Sequence, residues 1–265
     1  MSKARKPPKK PAKPAPAPPP APPPPFEYTP PTETALLPVT PELLARAAKL
    51  REILAGARAL IFDLDGVLVS TDKAKYESYR RACDRLGADL AFKFYKTIIG
   101  LSRMATCAAI VGHCKLKVTP KELADLREAE HPAVFAEFGV SVVPAARKLL
   151  AVLPRGRFKL GAASSATRDR VEAALEVLDF DFDTAVSGED VRPKPAPDLY
   201  LKCFRELGVR ASGAVIFEDS ENGVAAATAA GAACVAVPSE ETKVQNFTEA
   251  DLFIESLSEV RYLIV

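Results

Sequence analysis

Ala59-Leu60-Ile61-Phe62-Asp63-Leu64-Asp65-Gly66-Val67-Leu68-Val69 is the stretch that decides the reading of this chain. Four apolar residues lead into two carboxylates two positions apart; a glycine and a second apolar stretch follow. A continuous apolar run of this kind reads as a strand buried on both faces, as in a parallel sheet. Nothing in sheet packing asks for two acids at the exit. A buried carboxylate costs several kcal/mol unless it is paired or bound to a metal. In extended backbone, residues i and i+2 face the same side, so Asp63 and Asp65 share a site while Leu64 points away. Gly66 permits a sharp turn after them.

Further along, apolar runs suited to strands occur at Phe158-Lys159-Leu160-Gly161-Ala162-Ala163, Thr184-Ala185-Val186, Ala214-Val215-Ile216-Phe217 and Ala233-Cys234-Val235-Ala236-Val237, with a weaker one at Leu252-Phe253-Ile254. Helical runs at about 144–153, 167–178, 197–207 and 221–230 separate them, and Gly208 and Gly231 stand where helix-ending glycines belong. Strand and helix in alternation predict a parallel sheet covered on both faces. Upstream, Thr40-Pro41-Glu42 opens a helix of about fifteen residues that Gly56 closes. Another helix runs from about Asp72 to Leu86, stopped by Gly87. Residues 88–138 read as wholly helical. Within them Thr119 and Glu122 form a capping box, Pro120 takes the first helical position, Val118 can staple onto Leu123, and Gly139 ends the run.

The first 25 residues are different. They hold twelve of the 24 prolines and six Lys/Arg with no acid. Such a segment cannot offset its ordering entropy, so a disordered tail with polyproline character is expected over 1–30. With those six charges set aside, the formal net charge of +2 becomes −4 for the rest, which gives no basic surface for nucleic acid. No run of 18 apolar residues suggests a membrane span, and no apolar segment near the start suggests secretion. A cytoplasmic location is expected. The alternative is an organellar (plastid) address, because the tail is basic and acid-poor, although it is Ser-poor and Pro-rich. Cys83, Cys107, Cys114, Cys203 and Cys234 form no C-x-x-C pair and read as free thiols.

In open α/β sheets, ligands bind beyond the carboxyl ends of the strands. There the sequence delivers Asp63 and Asp65, then Ser164-Ser165, then Arg192-Pro193-Lys194-Pro195, then Glu218-Asp219-Ser220. Each has a plain structural explanation when taken alone: a solvated turn, a strand-end cap, a surface lysine, acids at a helix start. Four together do not. Clustered carboxylates repel one another, a hard divalent cation relieves that, and oxygen-only ligands favour Mg²⁺. A metal, an ammonium and a hydroxyl together suit a phosphoryl group.

Phe62-Asp63-Leu64-Asp65-Gly66-Val67-Leu68, Ser164, Lys194 within Arg-Pro-Lys-Pro-Ala-Pro-Asp, and Phe217-Glu218-Asp219-Ser220 resemble the four ordered motifs of the haloacid dehalogenase superfamily. The segment from Glu218 to Val224 with Ala230-Gly231-Ala232 resembles its beta-phosphoglucomutase and phosphoglycolate phosphatase branch. Pro238-Ser239, Thr242 and Gln245-Asn246-Phe247 resemble the sugar-(bis)phosphate phosphatases of that branch. The resemblance implies an α/β fold: a three-layer Rossmann-like core with a parallel sheet at 57–70 and 140–265, preceded by a helix at 41–56, and a small all-helical C1 cap at 71–139. It implies Asp63 as nucleophile and Asp65 as general acid/base. Ser164, Ser165 and Lys194 would hold the phosphate. Mg²⁺ would sit on Asp63, Asp65 (through its backbone carbonyl) and Asp219, with Glu218 as a further ligand. Gly100-Leu101-Ser102-Arg103 resembles the cap segment whose arginine binds a second anionic group; an ordinary surface ion pair is the alternative for Arg103. Mutases of the branch carry a His where this chain has Lys75, a substitution that weakens the mutase reading and suits an anionic substrate.

The function expected from the resemblance is a Mg²⁺-dependent phosphatase that acts on a small sugar phosphate or related metabolite through an aspartyl-phosphate. The alternatives are a phosphosugar mutase, which would release little free phosphate, and a non-catalytic scaffold whose PxxP tail binds an SH3-type or other partner. A monomer is expected.

Overall fold

The computed structural model describes residues 40–260 apart from Gly100 and Arg155. The proline-rich tail expected over 1–30 lies outside the described residues, as does the end of the chain after 260.

Six parallel strands make the main sheet: β1 (Ala59–Asp63), β4 (Lys159–Ser164), β5 (Thr184–Ser187), β6 (Ala214–Glu218), β7 (Ala233–Ala236) and β8 (Leu252–Phe253). Their order is β5-β4-β1-β6-β7-β8, so β1 lies between β4 and β6. The chain winds outward from β1 in one direction to β5, then returns past β1 and winds outward in the other. This reversal leaves a crevice at the carboxyl end of β1. Register aligns the strand ends: Asp63 is level with Ala163, and Phe62 with Phe217. Asp63, Ser164 and Glu218 therefore leave the sheet side by side.

Alternation assigns the two faces. Leu60, Phe62, Val215 and Phe217 pack on one side with α1 (Pro41–Ala55), α6 (Pro144–Leu150) and α7 (Arg168–Leu178). The Phe62 and Phe217 rings stack there at 4.8 Å. Ala59, Ile61, Ala214 and Ile216 pack on the other side with α8 (Asp198–Leu207) and α9 (Glu221–Ala229). By the same period of two, Asp63 and Glu218 fall on the α8–α9 side. The result is the three-layer α/β arrangement expected from the alternating pattern.

The helix-start signals are realised. Thr40 accepts from the Leu43 N–H, with Pro41 in the first turn. Thr119 and Glu122 form a complete capping box at α5 (Pro120–Phe138). The block expected to be wholly helical from 88 to 138 is broken into α3 (Phe92–Lys96), α4 (Arg103–His113) and α5. With α2 (Asp72–Arg85) these form a bundle with its own core around Tyr79, Cys83, Tyr95, Ile110 and Leu123. Two chain crossings join the bundle to the sheet, and there β2 (Val69–Ser70) pairs antiparallel with β3 (Ser141–Val142). The five cysteines are free thiols.

Candidate active site

After β1 the chain turns back on itself. Gly66 has φ +94°, its N–H donates to the Val69 carbonyl at 2.7 Å, and Leu68 and Val69 both donate to the Leu64 carbonyl. A Cβ at Gly66 would stand 2.0 Å from Asp219 Oδ2, so the missing side chain is what lets Asp219 reach the β1 turn. Asp63 and Asp219 are both buried, while Asp65 is partly open.

Lys194 comes from the loop between β5 and α8, and its side chain is 9% exposed. Its Nζ donates to Asp63 Oδ1 at 2.5 Å and also to Glu218 Oε1. Glu218 is fully buried, and both of its oxygens are already bonded. Oε1 accepts from Lys194 and from the Tyr200 hydroxyl. Oε2 accepts from the N–H groups of Asp219 and Ser220 and from the Ser220 hydroxyl. Glu218 therefore anchors Lys194 in this structure, beside its expected place as a further metal ligand.

Gly223 makes the room. A Cβ there would fall 1.9 Å from the Glu218 carboxyl carbon. Gly223 lies inside α9, where alanine would ordinarily gain about 0.5–1 kcal/mol over glycine. At this position the sign reverses. Gly223→Ala is expected to destabilise the protein by about 1–3 kcal/mol, read by denaturant unfolding, and to reduce turnover as Lys194 loses its seat.

Burial dominates the electrostatics. The Asp63 carboxyl is pushed up to about 7 by desolvation, opposed by Lys194 and reinforced by Glu218. Asp219 is driven well above the carboxylate range by burial and by Glu218, Asp63 and Asp72. Burial works against the Lys194 ammonium, but Asp63 and Glu218 outweigh it and hold the proton on. Two raised acids beside a charged lysine describe a site short of positive charge. Among the described residues no three acidic, His or Cys side chains are already gathered as a metal site. Two carboxylates, Asp63 and Asp219, with the Asp65 main-chain carbonyl are hard oxygen donors of the kind a small divalent cation takes, and its charge would relieve their repulsion.

Asp65 Oδ1 accepts from the Thr71 hydroxyl at 2.5 Å and pairs with Lys75 Nζ at 3.3 Å. Burial opposes the Lys75 charge, yet Asp65, Asp72 and Asp219 together raise its pKa above the ordinary lysine value. Ser164 is buried and accepts from the Ala166 N–H at 3.1 Å, so its hydroxyl proton stays free to be donated; Ser165 beside it is exposed.

These groups open into one cavity of about 470 Å³, lined by Asp63, Asp65, Lys75, Ser164, Ser165, Lys194 and Asp219 and also by Arg103. A larger depression of about 710 Å³ beside α8 brings none of these residues together. Sequence reasoning missed two further arginines in the cavity wall, Arg127 on α5 and Arg170 on α7. Arg103, Arg127 and Arg170 all reach Glu128, at 3.5, 3.4 and 2.5 Å. Arg127 is 5% exposed, donates to the Ser78 hydroxyl at 3.0 Å and lies over the Tyr79 ring. Three guanidiniums on one carboxylate leave net positive charge around Glu128. Arg103 thus makes the ion pair and also faces the cavity. Tyr200 was missed as well, although a buried tyrosine hydroxyl requires a partner.

The family model described as haloacid dehalogenase-like hydrolase matches residues 60–237. The protein CbbY of Rhodobacter capsulatus is 30% identical over 217 residues, covering 76% of this chain and 94% of its own. A phosphorylated carbohydrates phosphatase of Thermotoga maritima is 31% identical over 176 residues, covering 65% of this chain and 81% of its own. Among solved structures, a mutant of CbbY from Rhodobacter sphaeroides in complex with xylulose-(1,5)bisphosphate superposes with TM-score 0.65 at 26% identity, covering 77% of this chain and 96% of that one.

Proposed function

This chain belongs to the haloacid dehalogenase-like hydrolases, and from that membership we propose a Mg²⁺-dependent phosphatase that hydrolyses a small sugar phosphate with a second anionic group. It is a phosphoric monoester hydrolase by its relatives. The observation that carries the substrate reading is the make-up of the cavity wall: Asp63, Asp65, Asp219 and Lys194, together with three arginines gathered at Glu128. A phosphorylated carbohydrates phosphatase and a bisphosphate-bound neighbour stand among its relatives.

In this reading Asp63 attacks phosphorus and carries the phosphoryl group. Asp65, oriented by Thr71 and Lys75, gives a proton to the leaving oxygen and then takes one from the attacking water. Lys194 and the Ser164 hydroxyl, with Ser165 at the rim, hold phosphoryl oxygens. Asp63, Asp219 and the Asp65 carbonyl would hold Mg²⁺, which supplies charge neutralisation to the transferring group. Positioning and charge carry most of the acceleration in phosphoryl transfer. Arg103, Arg127 and Arg170 receive the second anion. An ammonium held protonated is a poor proton shuttle, so Lys75 beside Asp65 favours hydrolysis over a mutase reaction. The bundle α2–α5 acts as a cap, and no described helix is long and apolar enough to cross a membrane.

A panel of phosphorylated metabolites tests this. Phosphate release is expected with Mg²⁺, fastest for sugar bisphosphates and phosphorylated sugar acids, and lost in EDTA. Free Mg²⁺ is also expected to raise the unfolding temperature, because it binds the folded state and relieves Asp63–Asp219 repulsion. Equal rates in EDTA, or preference for singly charged substrates, would count against it.

A further inference from the structure

Besides the two chain crossings and the ion pairs Arg170–Glu128 and Lys75–Asp65, one side chain at the cavity rim grips main-chain groups of both the sheet layer and the bundle. Gln245 lies on the loop between β7 and β8. Its Oε1 accepts from the Glu221 N–H at 2.9 Å, and its Nε2 donates to the Ile99 carbonyl at 2.7 Å. Both partners are main-chain groups, one donor and one acceptor, so the chemistry fixes which end of the amide faces which.

The two anchor points are functionally placed. Glu221 is the first residue of α9, two positions beyond Asp219. Ile99 lines the cavity with Leu101, Ser102 and Arg103. The loop that presents Gln245 is itself braced. Thr242 is buried and accepts from the Ser239 N–H at 2.9 Å, the Lys243 N–H donates to the Ser239 carbonyl at 3.0 Å, and the Gln245 N–H donates to the Thr242 carbonyl at 2.9 Å. Asn246 ties back through its N–H to Glu221 Oε2 at 3.4 Å. A braced loop thus holds one amide between the catalytic layer and the substrate-facing segment of the bundle.

We propose that Gln245 is a positioning residue that holds the Ile99–Arg103 side of the cavity against the catalytic core. The bundle's contacts to the non-reacting part of the substrate then depend on this amide, while chemistry at Asp63 does not. The proposal rests on the reading of the cavity as the phosphatase site, but one arm of its test does not.

Gln245→Glu is the informative substitution. A carboxylate still accepts from Glu221, but it meets the Ile99 carbonyl with another acceptor. Gln245→Leu removes both bonds at similar size. Each variant is compared with wild type on the best sugar phosphate of the panel and on acetyl phosphate, which is too small to span the cavity, and by amide hydrogen exchange over residues 98–106. Both variants are expected to raise KM for the sugar phosphate by about tenfold, the scale of one lost hydrogen bond, and to leave acetyl phosphate turnover within about twofold. Exchange over 98–106 is expected to quicken. Equal losses on both substrates would overturn the proposal, since the residue would then act on α9 and the catalytic centre. Unchanged exchange would overturn it as well. The exchange arm needs no turnover, so it decides the proposal even if wild type hydrolyses neither substrate, a result that would instead refute the phosphatase reading.

Discussion

Asp63→Asn is expected to lower kcat by on the order of 10⁴- to 10⁶-fold, the loss typical of removing a nucleophile, while leaving the fold intact. The amide has the shape of the carboxylate but no nucleophilic oxygen anion. Lys194 keeps its second partner, Glu218, so the network does not collapse. Stability gives an independent reading with a definite sign. Burial raises the Asp63 carboxyl to about 7, above its ordinary 3.8, so the folded state binds that proton more tightly than the unfolded state does. The stability this contributes is full below pH 3.8 and is lost as pH rises through about 7. Asparagine does not titrate. In metal-free buffer the variant should therefore gain on wild type in thermal unfolding between pH 5 and 8. An unchanged rate would remove Asp63 from the chemistry; a gap that narrows with pH would mean that Lys194 outweighs burial.

Lys194→Met is expected to have the largest effect on stability. It removes the one ammonium shared by Asp63 and Glu218 and leaves two buried carboxyls facing each other. Breaking a buried ion pair costs about 3–5 kcal/mol. In a folded region of this size that is a fall of roughly 6–20 °C in Tm at neutral pH. The deficit should shrink on acidification, as the Asp63 carboxyl takes up its proton. Turnover should be lost at every pH, because the phosphoryl group loses its cation. Thermal scans from pH 5 to 8 with parallel phosphate assays would check both. A variant as stable as wild type at pH 8 would mean that the Lys194 ammonium contributes no net stability to this buried network.

Much of this site was legible because its signals are local. The acids after Phe62, the prolines around Lys194 and the capping box at Thr119 each declare themselves within a few residues, and all appear at their expected places. What was not legible depends on register or tertiary contact. The contacts of Glu218 to Tyr200 and Lys194 are set by the β1–β6 pairing and leave no mark in the local sequence. Tyr200 reads as one more apolar position on α8, between Leu199 and Cys203. Arg127 and Arg170 read as solvated helix charges; only the approach of α7 to α5 brings Arg170 to Glu128, where Arg127 already sits. β2 and β3 are two residues each, too short to leave a period. Within 88–138 the start of α5 was marked by Pro120 and the Thr119–Glu122 capping box, whereas Gly100 and Ser102 between α3 and α4 give only a weak signal.

The central claim is that Asp63 takes the phosphoryl group and Asp65 governs its release. Acetyl phosphate has a leaving group that needs no proton, so Asp65→Asn should still allow the first step and stall the second. Incubated with Mg²⁺ and acetyl phosphate, then acid-quenched and digested, the Asp65→Asn protein should carry one phosphoryl group on the peptide containing Asp63, removable by hydroxylamine. Phosphate release with no protein-bound phosphoryl group, or a label on any other residue, would contradict it.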